Sequence, residues 1–372
     1  MPNITMDDVI SAQASQGLTA ELCQLAATGL VKMFDSRRQL FCDIYNRTDA
    51  GMVSQGISRR YTMMTLLGLH RYQHSGHSSP LPIEPILNEL TRDTGWIEGA
   101  GDLGLLLWTC AELSPDRLPE IYRRVSAHDA LNRFDDAQQG ATMEVAWYLT
   151  GLATACKAGC TDLPGITEQI TAARRILEEN CGATGIYGHL RRGGRITGLA
   201  RRRIGSFADQ VYPTIAFARL ALALNDDEAR KMALRTAQTM CRLQEPLGEW
   251  CWHYDSAGDR IINRYPVYSV HQHAMGPMML FATAEATGSD FSHAIYKGLA
   301  WISGNNELGL NLIEPSLGLV WRSAYLKRAD AYADAARRLI GSGRGAAKVR
   351  PQIRYECRPY ELGWLLYAFA GK

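Results

Sequence analysis

Six stretches of the chain are apolar on nearly every side: residues 60–72, 101–113, 142–156, 207–224, 269–286 and 360–371. Each is long enough for several helical turns, and a helix without a polar face must be enclosed by others. Ahead of each lies a stretch with charges on one side, at 18–34, 83–93, 117–127, 165–180, 226–244, and 290–302 together with 328–341. A helix with a single apolar stripe belongs at the surface, so regular alternation of the two types describes two concentric rings. The expected fold is all-α, an (α/α)6 toroid of six helical hairpins with short β-hairpins on one face, forming one domain over residues 1–372.

The β-hairpins are read from the links that lead from an outer to an inner helix. Residues 40–58 carry Leu-Phe-Cys-Asp-Ile-Tyr before a glycine-containing turn, and 185–199 centre on Arg-Gly-Gly-Arg. Residues 249–265 run Glu-Trp-Cys-Trp-His-Tyr-Asp, turn at Ser-Ala-Gly-Asp and resume as Arg-Ile-Ile-Asn-Arg-Tyr. Such runs separated by glycine-rich turns are hairpin signals. Return links are short, as at Leu224-Asn-Asp-Asp227, and 341–347 reads as a flexible surface loop. Long loops carry function, so the site is expected where the hairpins meet the N-termini of the inner helices.

Composition narrows the function classes. Hydrophobic residues make up 46% of the 372 and charged residues 21%, which rules out global disorder. No apolar run approaches the roughly 20 residues that cross a bilayer, and the N-terminus has neither a basic region nor an apolar stretch behind it. The expectation is a soluble, cytoplasmic protein. Lys+Arg 40 against Asp+Glu 38 gives +2, no field for gathering nucleic acid. Nine cysteines form no pair of Cys-x-x-Cys motifs, and Cys156 and Cys160 lack accompanying histidines. Reduced thiols are expected, with neither metal nor cofactor, and a small-molecule or saccharide substrate as the partner.

One motif carries a resemblance. Gln244-Glu-Pro-Leu-Gly248-Glu-Trp250 closes an outer helix and resembles the Gln-x-x-x-Gly-x-Trp pattern of two toroid superfamilies. One is the six-hairpin glycosidase-like group of glycoside hydrolases, polysaccharide lyases and sugar epimerases. The other is the terpenoid cyclase and protein prenyltransferase group. The motif marks a fold more than a reaction: Gly248 permits a tight helix exit, Trp250 folds against neighbouring turns, and Gln244 can bond exposed backbone. The first resemblance implies a hydrolase, lyase or epimerase acting by acid/base catalysis on an oligo- or polysaccharide in the central cavity. The second implies an isoprenoid cyclase working through a carbocation. The Asp-x-Asp-Asp run of such cyclases is missing, Phe134-Asp-Asp-Ala-Gln-Gln139 being the nearest approach.

Polar residues at the starts of the inner helices converge on the cavity of such a ring. Asp209, Glu144, His271 and Tyr268 are the acid and base candidates. Trp250 and Trp252, continued through His253, form an expected aromatic platform for a pyranose ring, joined by Tyr212, Tyr265, Tyr360 and Glu361. Arg202 and Arg358 are expected to position an anionic group. Tyr268 and His271 stand three apart and share a helix face, where a phenol and an imidazole can move a proton, while His271 and His273 diverge by about 200°. Pro277, after Gly276, is expected to deform the helix that carries them. Hydrolysis needs two carboxyl groups flanking the bond, for which Asp209 and Glu144 are available. Elimination or C5-epimerisation of a uronate needs a His or Tyr base and arginine, and Arg191, Arg192, Arg195 and the run 201–203 lie nearby. Asp102, Glu144 and Glu361 also have an ordinary reading as helix caps.

Overall fold

The computed structural model describes residues 6–126, 141–190, 202–327 and 351–372. Twelve α-helices alternate between two rings among these residues. The outer ones are α1 (Met6–Val31), α3 (Ile83–Arg92), α5 (Leu118–Ser126), α7 (Ile166–Asn180), α9 (Asp227–Arg242) and α11 (Ser292–Ile302). The inner ones are α2 (Arg59–His74), α4 (Ala100–Leu113), α6 (Thr142–Lys157), α8 (Phe207–Leu224), α10 (Gly276–Thr287) and α12 (Pro359–Phe369). Each inner helix packs on the next, and α12 returns to α2, so the inner ring closes into an (α/α)6 toroid. The alternation follows from pattern: α4 is buried along nearly its whole length, whereas α3 buries only Ile86, Leu87, Leu90 and Thr91. Closure requires a close approach between α2 and α12, where a Cβ on Gly68 would fall 2.0 Å from the Gly363 carbonyl oxygen.

The first turns of the inner helices are fixed individually. Ser58 accepts a hydrogen bond from the Tyr61 amide at the head of α2, and Ser206 and Asp209 form a reciprocal capping box on α8. Before α10 the helix opens into a π-helical turn, His271–Met275, in which the Gly276 amide donates to the His271 carbonyl. Pro277 has no N–H to continue the ordinary ladder, so the deformation expected there is present.

The expected hairpins at 40–58 and 249–265 form, pairing Ile44–Thr48 with Gly51–Gln55 and His253–Asp255 with Arg260–Asn263. Each gains a third strand from a distant part of the chain: Glu356–Cys357 beside the first, Ile204–Ser206 beside the second. A third sheet joins Val267–Tyr268, Ser323–Tyr325 and Gln352–Arg354. The expectations on Asp135 and Asp136, on Arg191, Arg192, Arg195 and Arg201, on the segment 328–341 and on the loop 341–347 lie outside the described residues.

Among the described residues, the ring is open at one end and packed with large aromatic side chains at the other. At the other end Trp108 stacks on Trp364 at 5.4 Å, and the edge of Tyr367 meets both. Trp108 Nε1 and the Tyr367 hydroxyl each donate to Glu112 at 2.7 Å. The Arg71 guanidinium sits 3.4 Å from the Tyr367 ring centroid, and Arg219 lies between Tyr367 and Glu285. No helix of the described residues is long and apolar enough to cross a membrane. No disulfide joins any of the nine cysteines, and burial pushes the Cys23 thiol up to about 12 and that of Cys42 to about 11, which suppresses thiolate chemistry near neutral pH.

Candidate active site

At the hairpin end the inner helices begin around a cavity of about 320 Å³. Its wall is made by Arg60, Tyr61 and Met64 of α2, Met143 and Trp147 of α6, and Ala208 and Tyr212 of α8 with the cap residue Ser206. Trp252, Tyr268, Val270, His271, Met275, Arg322 and Tyr360 complete it. Two guanidinium groups and four phenols therefore face the same space, and among the described residues no carboxylate lines it.

The carboxylates stand behind the arginines. Arg60 is hydrogen-bonded to Asp102 of α4 and lies 3.1 Å from Glu144 of α6, with Trp147 5.8 Å from its guanidinium carbon. Arg322 is paired with Glu361, lies 3.4 Å from Glu356, and sits 5.1 Å over the Tyr268 ring. Burial favours the neutral form of Arg322, but Glu361 and Glu356 overcome it and hold the guanidinium charged. Burial pushes the Glu361 carboxyl above its ordinary range, with Arg322 pulling the other way. The backbone also fixes Arg322: its carbonyl accepts from Ser269 N–H at 2.8 Å and its amide donates to Glu356 at 2.8 Å.

The aromatic and imidazole groups form a second wall. Tyr268 and His271 share a face as expected, with ring centroids 5.3 Å apart, and Trp252 meets Tyr268 edge-on at 5.8 Å. Burial lowers the His271 pKa to about 3, the Arg322 and His253 charges adding to the effect, so the imidazole is neutral at physiological pH. Tyr61 stacks near Tyr360 at 4.6 Å, and its hydroxyl accepts from Arg358 at 2.7 Å. Tyr212 accepts from Trp364 Nε1 at 2.9 Å, tying the cavity floor to the filled end of the ring.

Of the expected site residues, the structure brings Tyr268, His271, Trp252, Tyr212 and Tyr360 onto one cavity wall. It places others elsewhere, which corrects their expected roles. Trp250 is fully enclosed: its ring presses on Gly276 and Gly298 and its Nε1 donates to the Met240 carbonyl at 3.0 Å, so it offers no face to a sugar. The motif that contains it is a lock. Gln244 donates to the carbonyls of Gly248 and Ala294 at 2.8 and 2.9 Å, and Gly248 adopts φ +102°, open to glycine at little cost. Glu144 and Glu361 hold arginines instead of facing the cavity. Asp209 is fully buried, its Oδ2 accepting from Ser206 N–H and Oγ at 2.8 Å each and facing His189 Nδ1 at 3.0 Å. His253 stacks behind Trp252 at 4.3 Å, Arg358 pairs with Glu356 at 2.9 Å, and neither they nor Tyr265 and Arg202 line the cavity.

Four groups were not anticipated: Arg322, Trp147, Ser206 and His189. Nothing local marks Arg322, which belongs to an extended segment and reaches the site because Ser323 pairs with Tyr268 in the third sheet. Ser206 and Trp147 lie one turn or less from residues that did attract notice. His189 precedes the arginine-rich link and is identified only by its contact with Asp209.

The sequence matches no protein-family model and no curated protein. Solved structures do match it in fold. A possible member of the GH105 family from Salmonella enterica superposes with a TM-score of 0.58 at 12% identity, covering 96% of this chain and 93% of that one. An unsaturated glucuronyl hydrolase from Bacillus sp. GL1, responsible for the degradation of glycosaminoglycan, gives 0.59 at 13% identity, with 94% of each chain covered. Cellobiose 2-epimerase from Bacillus thermoamylovorans gives 0.62 at 10% identity, covering 95% of this chain and 99% of that one. At such identity the likeness lies in the backbone, and the chain shares the (α/α)6 toroid fold of these structures.

Proposed function

We propose that the chain is a carbohydrate-active enzyme that binds an acidic saccharide at the hairpin end and moves a proton at the carbon next to its carboxylate, by elimination or epimerisation. The observation that carries this reading is the make-up of the cavity wall: Arg60 and Arg322, four tyrosines and a neutral His271, with no carboxylate among the described lining residues. Proton abstraction beside a carboxylate builds negative charge on its oxygens, which fixed guanidinium groups stabilise. A neutral imidazole or a phenol supplies the proton carrier. Trp252 and Trp147 offer aromatic edges and faces to a pyranose. A carbocation would be repelled by the same two arginines, so the isoprenoid reading is disfavoured. The names of the fold neighbours, a glucuronyl hydrolase and a sugar epimerase, agree with a saccharide substrate.

A second reading, hydrolysis, is favoured by one contact set: Asp102 and Glu144 both pair with the cavity-lining Arg60, which places two carboxyl groups next to the same guanidinium. Incubation with polygalacturonate, alginate and hyaluronan in deuterated water separates the two. Ultraviolet absorbance from a new double bond, or deuterium at the carbon next to the carboxylate, is the expected result. Release of reducing ends with neither signal overturns proton transfer at that carbon and leaves hydrolysis.

A further inference from the structure

We infer that Tyr61 and Tyr212 form a fixed pair of hydrogen-bond donors that holds the substrate carboxylate beside Arg60 and Arg322, so that the cavity selects a uronate over the matching neutral hexose; this rests on the acidic-saccharide reading above. A phenol has one hydrogen to give and an oxygen that accepts. In both residues the oxygen is already taken by a nitrogen that can only donate: Trp364 Nε1 gives to Tyr212 at 2.9 Å, and Arg358 Nη1 gives to Tyr61 at 2.7 Å. Each phenolic hydrogen therefore needs an acceptor elsewhere, and among the described residues neither hydroxyl donates to one. Both side chains line the cavity. An acceptor carried in by a ligand satisfies them, and a carboxylate, with two oxygens and no hydrogen, can only accept.

The surroundings hold the pair in that sense. Trp364 is fully enclosed, and Arg358 is also tied to Glu356 at 2.9 Å, which keeps both nitrogens on their phenol oxygens. The Tyr61 ring lies 4.6 Å from that of Tyr360, and Tyr212 meets Trp147 edge to face at 5.1 Å, so neither ring is free to swing. Burial pushes both phenols above their ordinary value, with Arg358 and Trp364 pulling the other way without cancelling it, so each keeps its hydrogen at neutral pH. Tyr268 differs: its hydroxyl has no hydrogen-bond partner among the described residues, and Arg322 sits 5.1 Å over its ring. The phenols of the wall thus divide, Tyr61 and Tyr212 to hold and Tyr268 free to move a proton. As the carbon beside the carboxylate loses its proton, charge grows on the carboxylate oxygens, where donors already in place bind more strongly. A hexose brings a hydroxymethyl group instead, with one oxygen and no charge, and leaves donors unsatisfied.

Calorimetric titration with galacturonate and glucuronate against galactose and glucose tests the pair without requiring turnover. The wild type is expected to bind one uronate at least about 100-fold more tightly than the matching hexose, and Tyr61→Phe and Tyr212→Phe are each expected to cut that ratio about tenfold. Tyr61→Phe, which leaves Arg358 on Glu356, carries the test if Tyr212→Phe fails to fold with Trp364 Nε1 left unpaired. On whichever uronate polymer the wild type turns over, both variants are expected to lower kcat about tenfold or more with both limbs of the pH profile in place, because neither phenol gives up its proton. An unchanged uronate-to-hexose ratio in Tyr61→Phe overturns the pair and leaves the acidic-saccharide reading intact. So does loss of a pH limb, which makes the phenol the proton carrier. Uronate binding with the expected variant losses but no turnover keeps the pair and removes the proton-transfer chemistry. A wild type that prefers the hexose, or binds neither sugar, overturns both.

Discussion

Where the inner helices begin, their first turns leave about 320 Å³ open between Arg60, Arg322 and four tyrosines; where they end, Trp108, Trp364 and Tyr367 fill the axis. Both ends use arginine, carboxylate and aromatic groups. At the filled end the charges satisfy one another along the axis, with Arg219 on Glu285 and Tyr367, and Glu112 accepting from two donors. At the open end the carboxylates stand outside and the arginines inside, so the positive charge is turned toward the hollow. The same side-chain vocabulary gives a plug or a receptor according to which partner faces the axis. Orientation of ion pairs, more than their number, distinguishes the two.

That contrast can be broken by substitution. Trp364→Ala empties a fully buried site and is expected to cost about 3–5 kcal/mol of stability in urea unfolding. Trp252→Ala, on the cavity wall, is expected to cost under about 1 kcal/mol while weakening substrate binding. Equal stability losses would erase the difference between the ends. Tyr268→Phe is expected to lower turnover by about 100-fold or more with the unfolding midpoint nearly unchanged. Glu361→Gln, which leaves Arg322 buried without its anionic partner, is expected to cost about 3 kcal/mol by the same unfolding measurement.

Acid sharpens the comparison further. His271 and His273 are buried and their pKa values fall to about 3 and about 4, below the ordinary 6.5 of the unfolded chain. Between those limits the unfolded chain binds two protons that the folded chain refuses, so their contribution is intact above pH 6.5 and is lost as pH falls. From pH 6 toward 4 the loss is on the order of 2 kcal/mol per pH unit, and His273→Gln is expected to cut the slope of stability against pH by about half. The smallest effect lies on neither end: Glu120→Ala on α5 removes an exposed pair with Arg124 and is expected to change stability by under about 0.5 kcal/mol.

Much of the ring was legible because helix burial is written in local pattern. The all-round apolar stretches became α2, α4, α6, α8, α10 and α12, and Pro277 marked the π-helical turn. The site was legible where its residues share one helix face, as Tyr268 and His271 do. It was misread where function and capping use the same residue type. Asp209 at the third position of α8 reads equally as an acid or a cap, and only its enclosure decides. Trp250 reads as a platform until the close approach of Gly276 and Gly298 shows that its ring is walled in. Arg322 was illegible because strand pairing over more than fifty residues delivers it, and no local period encodes that register.

The most direct measurement is a structure with a bound uronate oligosaccharide. The account predicts the carboxylate seated between Arg60 and Arg322, with the adjacent C–H directed at the wall that carries Tyr268 and His271. A neutral sugar ring with its glycosidic oxygen between Asp102 and Glu144, and nothing anionic near Arg322, would contradict it.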